Sequence, residues 1–369
     1  MKVVSVAISV VLFLILYGFT ACSKKEKERI FEREYLEPIK NARHELTLHL
    51  FRNLIPGGSI AVMIDGELVW SEGIGYASKD LEVPASRHTK YRIGEISQIM
   101  TALGYNLLVE KGELHPDSSV QYYLPEFPEK KYNITLRHLA NQSSGLRQQK
   151  RSETNNTNFG VSISHGLEFF RDDTLLFKPG QFQYSSIFNY NLLGAVIEKK
   201  TNKKFRVIIS QLVTDTLGLN NTTLDNPFIT VKGRTDFFDV NYISQIVNAT
   251  TTDLGFSLPS CGYLSTAEDL AKLGNAFLFS EYISDSVRHR IFSTDTLQSG
   301  IPPNWANGWF INTDEQGNKF YASTGGVKGG NAALLVYPES KIVIALATNL
   351  TGNFDDLPVL SIAQEFLIF

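Results

Sequence analysis

Two cysteines, three methionines and three tryptophans stand in 369 residues, and each scarcity excludes something. Once Cys22 is committed to the role argued below, only Cys261 remains, so no intramolecular disulfide framework can form. Cys261 then reads as a small core residue. No CxxC or HExxH pattern occurs and the seven histidines are scattered, which gives a structural or catalytic metal no support. No cofactor is expected. Basic excess is also missing: the formal charge is −3, so the chain carries no electrostatic footprint for a nucleic-acid backbone, and nucleic acid is not an expected partner. Repeats are absent as well.

What is present begins at the N-terminus. Lys2 precedes an apolar run over residues 3–19, followed by Phe19-Thr20-Ala21-Cys22. This pattern reads as a secretory signal over residues 1–21. Small residues just before a cysteine resemble a bacterial lipobox, which implies that Cys22 is lipidated and that the membrane is a partner through that lipid. The alternative is an uncleaved membrane helix. Either reading places the remainder outside the cytoplasm, in the cell envelope. Residues 22–53 form the lipidated tether and an N-terminal helix: a charged spacer to Glu34, then a helical pattern through Ile30, Tyr35, Leu36 and Ile39 that the Pro56-Gly57-Gly58 breaker stops.

The globular part is expected over residues 54–369. Residues 59–64 and 68–70 flank Asp65-Gly66, a strong hairpin signal. Residues 96–110 carry apolar side chains at helical spacing and stop at Lys111-Gly112. Helical segments at 190–200 and 207–216 alternate with Asn/Thr-rich loops, notably 153–158. Two apolar runs, 332–337 and 342–347, read as strands joined by a turn, and 355–369 reads as a closing helix. Strands at both ends with helices between predict an α/β (α+β) fold. One antiparallel sheet is flanked by helices, with a sheet lobe over about 54–92 and 258–369 and an inserted helical lobe over about 93–257.

An ordered series of short motifs narrows this further: YRIG at 91–94, LVEKGEL at 108–114, YLPEF at 123–127, ITLRHL at 134–139, SGL at 144–146, PG at 179–180, LLGAVI at 192–197 and LSTAEDL at 264–270. The series resembles the β-lactamase-related serine hydrolases and penicillin-binding proteins. This group includes class C β-lactamases, D-alanyl-D-alanine carboxypeptidases, esterases and mitochondrial serine β-lactamase-like proteins. The resemblance runs over most of the mature chain and implies the β-lactamase/transpeptidase-like fold.

The chemistry of that group needs a serine at the start of a helix and a lysine one turn later, so that the amine can take the hydroxyl proton. By resemblance Glu95 stands at the nucleophile position and Gln98 at the lysine position. Shifting the register to Ser97 puts Met100, which has no basicity, in the lysine role. The family's Tyr-x-Asn motif appears as Tyr184-Ser185-Ser186, keeping the phenol and losing the amide. The Lys-Thr-Gly or His-Thr-Gly strand appears as Ser323-Thr324-Gly325, losing the cation or imidazole. The resemblance assigns the oxyanion-hole amides to Gly326 and Glu95, and these do not depend on side-chain identity.

These substitutions imply a catalytically degenerate member that binds a peptide or peptidoglycan-like ligand or acts as a scaffold. The alternative is a residual hydrolase using Ser97, Ser186 or water activated by Glu95. Three readings of Glu95 stand: it meets the free amides and positive end of a helix; it fills the oxyanion hole; or it is a general base. Tyr184 reads as packing or as a relay remnant, and Lys328 as an exposed turn lysine or an attractor of anions at the cleft mouth. His138, Ser143 and Ser144 read as structural.

Overall fold

The computed structural model describes residues 28–154, 162–352 and 356–369. Eight strands form the path of the main sheet: β1 (Ile30–Phe31), β2 (Gly57–Ile64), β3 (Glu67–Ser78), β4 (Trp305–Ala306), β5 (Trp309–Thr313), β6 (Lys319–Val327), β7 (Gly330–Tyr337) and β8 (Ile342–Thr348). Their order is β1-β3-β2-β8-β7-β6-β5-β4, with Val83–Pro84 pairing off β3, and every pair is antiparallel. The β2–β3 hairpin turns at Asp65 and Gly66, both with positive φ, as a tight two-residue turn requires. β8 pairs with β2 along Ile342↔Ile64 to Thr348↔Gly58, so the N- and C-terminal parts close one sheet.

The two apolar runs are continuous because the sheet is covered on both faces. Val343, Ala345 and Ala347 join the core beneath the helical segments, while Ile342, Ile344 and Leu346 join a second core on the opposite face. Successive side chains alternate between faces, so a strand buried on both sides has no polar period to show. Helix α1 (Leu36–Arg52) and a helix near the end of the chain supply the second core through Ile39, Ala42, Leu46, Ile362 and Phe366. Helices α2 (Ser97–Glu110) and α3 (Ile187–Thr201) pack on each other and belong to the core on the other face, where α4 (Ala267–Phe279) packs directly against β2 and β8. The helix near the end of the chain is α5 (Val359–Leu367).

Three boundaries differ from the sequence expectation. Ile30 does not begin the first helix: Ile30 and Phe31 pair with Ser71 and Trp70 at the sheet edge, and the helix starts at Leu36. Two residues satisfied by an edge leave no periodicity to read. The segment 207–216 is not one α-helix, since Phe205–Ile209 passes into a π-turn over Ser210–Thr214. Of the closing helix expected over 355–369, the α-helix among the described residues is Val359–Leu367, with Pro358 at its N-cap. Part of the 153–158 loop lies outside the described residues, as do the apolar run at 3–19 and Cys22. No helix among the described residues is long and apolar enough to cross a membrane.

A buried ion pair ties this sheet to α4. The Arg87 guanidinium donates to both oxygens of Glu268, and Ser71 Oγ donates to Glu268 Oε1 at 2.6 Å. Burial alone pushes the Glu268 carboxyl up, but the Arg87 and Ser71 hydrogen bonds and the Arg87 charge together hold it below the usual carboxylate range. A depressed folded-state pKa contributes stability above the unfolded pKa and loses it as pH falls through the folded value. Wild-type protein is therefore expected to lose stability more steeply on acidification than Glu268→Gln, with equilibrium urea unfolding across the acid range as the check. Equal slopes would count against this linkage.

Candidate active-site cleft

The turn over Gly94–Ile96 leads directly into α2 and rests on the end of β6. Backbone contact there admits no side chains. A Cβ on Gly94, whose φ is +50°, would lie 2.5 Å from the Gly326 nitrogen. One on Gly325 would lie 2.2 Å from the Ile93 carbonyl oxygen and 2.5 Å from the Glu95 nitrogen. Glycines on both sides thus let the turn and the strand end touch, which brings the half-buried Glu95 to Gly326. The Gly326 N–H donates to Glu95 Oε2 at 2.9 Å. A carboxylate accepting from a backbone amide is among the stronger hydrogen bonds, and this one joins residues far apart in sequence.

Gln98, one turn into α2, is buried, and its polarity is set by its neighbours. Ser186 N–H, which can only donate, meets Gln142 Oε1 at 2.9 Å, and Asn189 Nδ2 donates to the same oxygen. Gln142 Nε2 therefore donates, to Gln98 Oε1 at 3.1 Å. Gln98 Nε2 is left buried without a hydrogen-bond partner. At the position where the resemblance expects an amine, the side chain is neutral and held from one end.

Ser186 caps α3. Its Oγ accepts from Phe188 N–H at 3.2 Å and donates to the Arg147 carbonyl at 2.5 Å. Ser186→Ala is expected to cost about 1 kcal/mol, the ordinary worth of an N-cap, measured by the urea midpoint. Tyr184 is partly exposed; its ring meets Phe177 edge-on at 6.5 Å and its N–H donates to the Gln142 carbonyl at 2.8 Å. Ser323 lies opposite Leu334 of β7, and directly opposite residues share a face, so it faces the core beneath the helical segments.

Glu95, Gly326 and Lys328 line a cavity of about 540 Å³ together with Cys261 and Val240. Lys328 Nζ is 3.6 Å from Asp239 Oδ2. Burial first, then the nearby Glu95 carboxylate, push the Cys261 thiol up to about 12, the direction of an inert thiol. Ser97 is buried and its Oγ donates to the Gly94 carbonyl at 2.7 Å. His138 completes a capping box with Thr135, and Ser144 Oγ donates to Asn189 Oδ1. Among the described residues no group of three or more His, Cys, Asp or Glu side chains is placed to share a metal ion.

Sequence reasoning did not single out Gln142 or Arg147. Gln142 sits in the left-handed region at φ +57°, at the centre of the amide network. Arg147 is held by Glu153 and Asp173 and lies over the Phe188 ring. The polar run Asn141-Gln142-Ser143-Ser144 is the signal in the sequence that could have found Gln142.

The family model for Beta-lactamase matches residues 39–365. The human mitochondrial serine beta-lactamase-like protein LACTB is 27% identical over 420 residues, covering 84% of this chain and 76% of that protein. Protein flp of Staphylococcus aureus (strain MW2) is 26% identical over 311 residues, covering 81% of this chain and 61% of its own length. Among solved structures, the octameric penicillin-binding protein homologue from Pyrococcus abyssi superposes with a TM-score of 0.78 at 22% identity, covering 88% of this chain and 77% of that one. FmtA from Staphylococcus aureus gives 0.76 at 19% identity, covering 93% and 92%. At those identities the two structures speak for the fold alone. With the sheet, its helices and the Gly94–Gly326 contact in place, and the family model matching from α1 to α5, the chain belongs to the beta-lactamase family.

Proposed function

We propose that this chain is a cell-envelope lipoprotein, held at the membrane through Cys22, whose cleft binds a peptide or peptidoglycan-like ligand without acyl transfer. The observation that carries the reading is the Glu95 carboxylate accepting the Gly326 N–H at 2.9 Å. That amide is the donor which, by family resemblance, would stabilise the oxyanion of an acyl intermediate. A negative side chain accepting from it competes with a developing negative oxygen for the same hydrogen bond. Gln98 and Ser323 supply no base, and loss of an activating lysine or imidazole removes a contribution of about 10²–10⁴-fold.

The alternative serines are spoken for. Ser97 Oγ and Ser186 Oγ each donate to a backbone carbonyl, of Gly94 and Arg147 respectively. Intact-mass analysis after incubation with a fluorophosphonate and with a penicillin is the test. No adduct is expected on the native protein, whereas Glu95→Ser/Gln98→Lys/Ser323→His is expected to acquire one. A stoichiometric adduct on the native chain overturns the reading, and its mapped position names the nucleophile.

A further inference from the structure

An apolar patch lies where α1 begins and α5 ends. Tyr35 packs against Phe369 at 5.8 Å and Phe366 at 6.4 Å between ring centroids. Around this cluster Phe31 is 37% exposed, Leu36 49%, Ile368 78% and Phe369 63%. Large apolar side chains gathered at one end of a globular domain mark a contact surface.

The chain preceding the patch says what covers it. Five residues lie between Cys22 and Glu28, so the six steps between them reach about 20 Å when extended, and the apolar run at 3–19 ends two residues before Cys22. Phe31 follows Glu28 by three residues. Any membrane attachment through the 3–22 segment therefore holds this edge of the domain within one short tether of the bilayer. With the chain already held at the bilayer, contact between this edge and the lipid is intramolecular, so even a weak contact is populated. Tyrosine among aliphatic and phenylalanine side chains is the composition suited to the interface.

The patch also has a fixed relation to the cleft. Gln364 of α5 and the Tyr337 hydroxyl both donate to Asp314 Oδ2, each at 3.2 Å, in the turn between β5 and β6. The end of α5 thus sits where β6 starts and β7 finishes. Gly326 sits where β6 finishes, across Asn331 at the start of β7. The strands separate the two ends by about 20–25 Å.

We propose that Phe31, Tyr35, Leu36, Ile368 and Phe369 seat this domain on the lipid surface and present the Glu95–Gly326 cleft away from it. The inference rests on the reading of residues 3–22 as a membrane attachment. The competing surface is the hairpin of Phe238–Val240 and Ile246–Asn248, where Tyr242 is 97% exposed and Val240 lines the cleft cavity. Seating through that hairpin turns the cleft toward lipid.

The test uses the full chain in vesicles of phosphatidylethanolamine and phosphatidylglycerol containing a doxyl-labelled phosphatidylcholine. Leu36→Cys and Tyr242→Cys are each labelled with an environment-sensitive fluorophore in protein whose Cys22 thiol is blocked by its lipid, or replaced by Ser where it carries none; Cys261 is buried and stays unlabelled. The Leu36 label is expected to shift to the blue and lose most of its emission to the quencher, and the Tyr242 label to keep its emission. Adding Ile368→Ser and Phe369→Ser is expected to reverse the Leu36 quenching while the protein still floats with the vesicles. Quenching at Tyr242 instead, or at neither site in protein that floats, overturns the seating and leaves the attachment standing. Protein that does not float with vesicles overturns the attachment itself.

Discussion

Arg92→Met is expected to destabilise the fold by about 3–5 kcal/mol, the usual loss when one partner of a buried ion pair is removed. Arg92 Nε lies 2.6 Å from Asp225 Oδ2, with the two side chains 3% and 1% exposed. Its Nη1 donates to the Lys328 carbonyl at 2.6 Å, and its guanidinium lies 3.9 Å from the Phe237 ring centroid. Methionine fills much of the volume and leaves the Asp225 carboxylate buried, with Arg234 at 3.9 Å the cation left beside it among the described residues. Equilibrium denaturation reads the loss. Arg92→Met/Asp225→Leu is expected to recover a large part of it, because the penalty comes from the charge left behind more than from the attraction removed. If the double variant is no more stable than Arg92→Met, the account fails.

That pair also bears on the cleft. Arg92 immediately precedes Ile93, Gly94 and Glu95, and its bond to Lys328 falls two residues beyond Gly326. One side chain therefore holds the turn and the strand end that meet through Glu95 and Gly326. Loosening it is expected to weaken the contact as well as the fold.

How far the sequence announces this arrangement varies with the kind of interaction. The Asp65-Gly66 turn and the runs at 332–337 and 342–347 were readable because each is a local signal: two positive-φ residues between strands, and apolar continuity. Ile30 misled because its spacing to Tyr35 and Leu36 fits a helix, while its actual partner, Ser71, is forty-one residues away. Motif order offers Glu95, Gln98, Tyr184, Ser186, Ser323 and Gly326 as candidate positions, of which Glu95 and Gly326 line the cavity, but no motif states which oxygen meets which amide. The Gln142 network is of that second kind. It depends on the polarity of Ser186 N–H fixing Gln142, which fixes Gln98, through segments that pattern alone does not align. Glu95 had three readings in the sequence because dipole, hole and base all ask for a carboxylate at that place. Only the placement of Gly94 against Gly325 and Gly326 sets its oxygen beside a particular amide.

The steric basis of that placement makes Gly325→Ala the sharper probe of the site. An added methyl would sit 2.2 Å from the Ile93 carbonyl oxygen and 2.5 Å from the Glu95 nitrogen, both backbone atoms that cannot rotate away. The strand end and the turn must separate, and forced backbone shifts in packed regions cost typically about 1–3 kcal/mol. Here the displaced elements also share the Gly326 to Glu95 hydrogen bond, so that amide is expected to lose its protection. Amide hydrogen exchange at Gly326 should rise strongly in Gly325→Ala, while amides in the middle of β7 and β8 keep their relative order. Glu95→Gln serves as the comparison: it removes the charge, leaves an oxygen to accept, and is expected to raise Gly326 exchange less. Unchanged exchange in Gly325→Ala would mean the strand and turn do not meet as closely as these glycines require, and the carboxylate's hold on the amide would go with it.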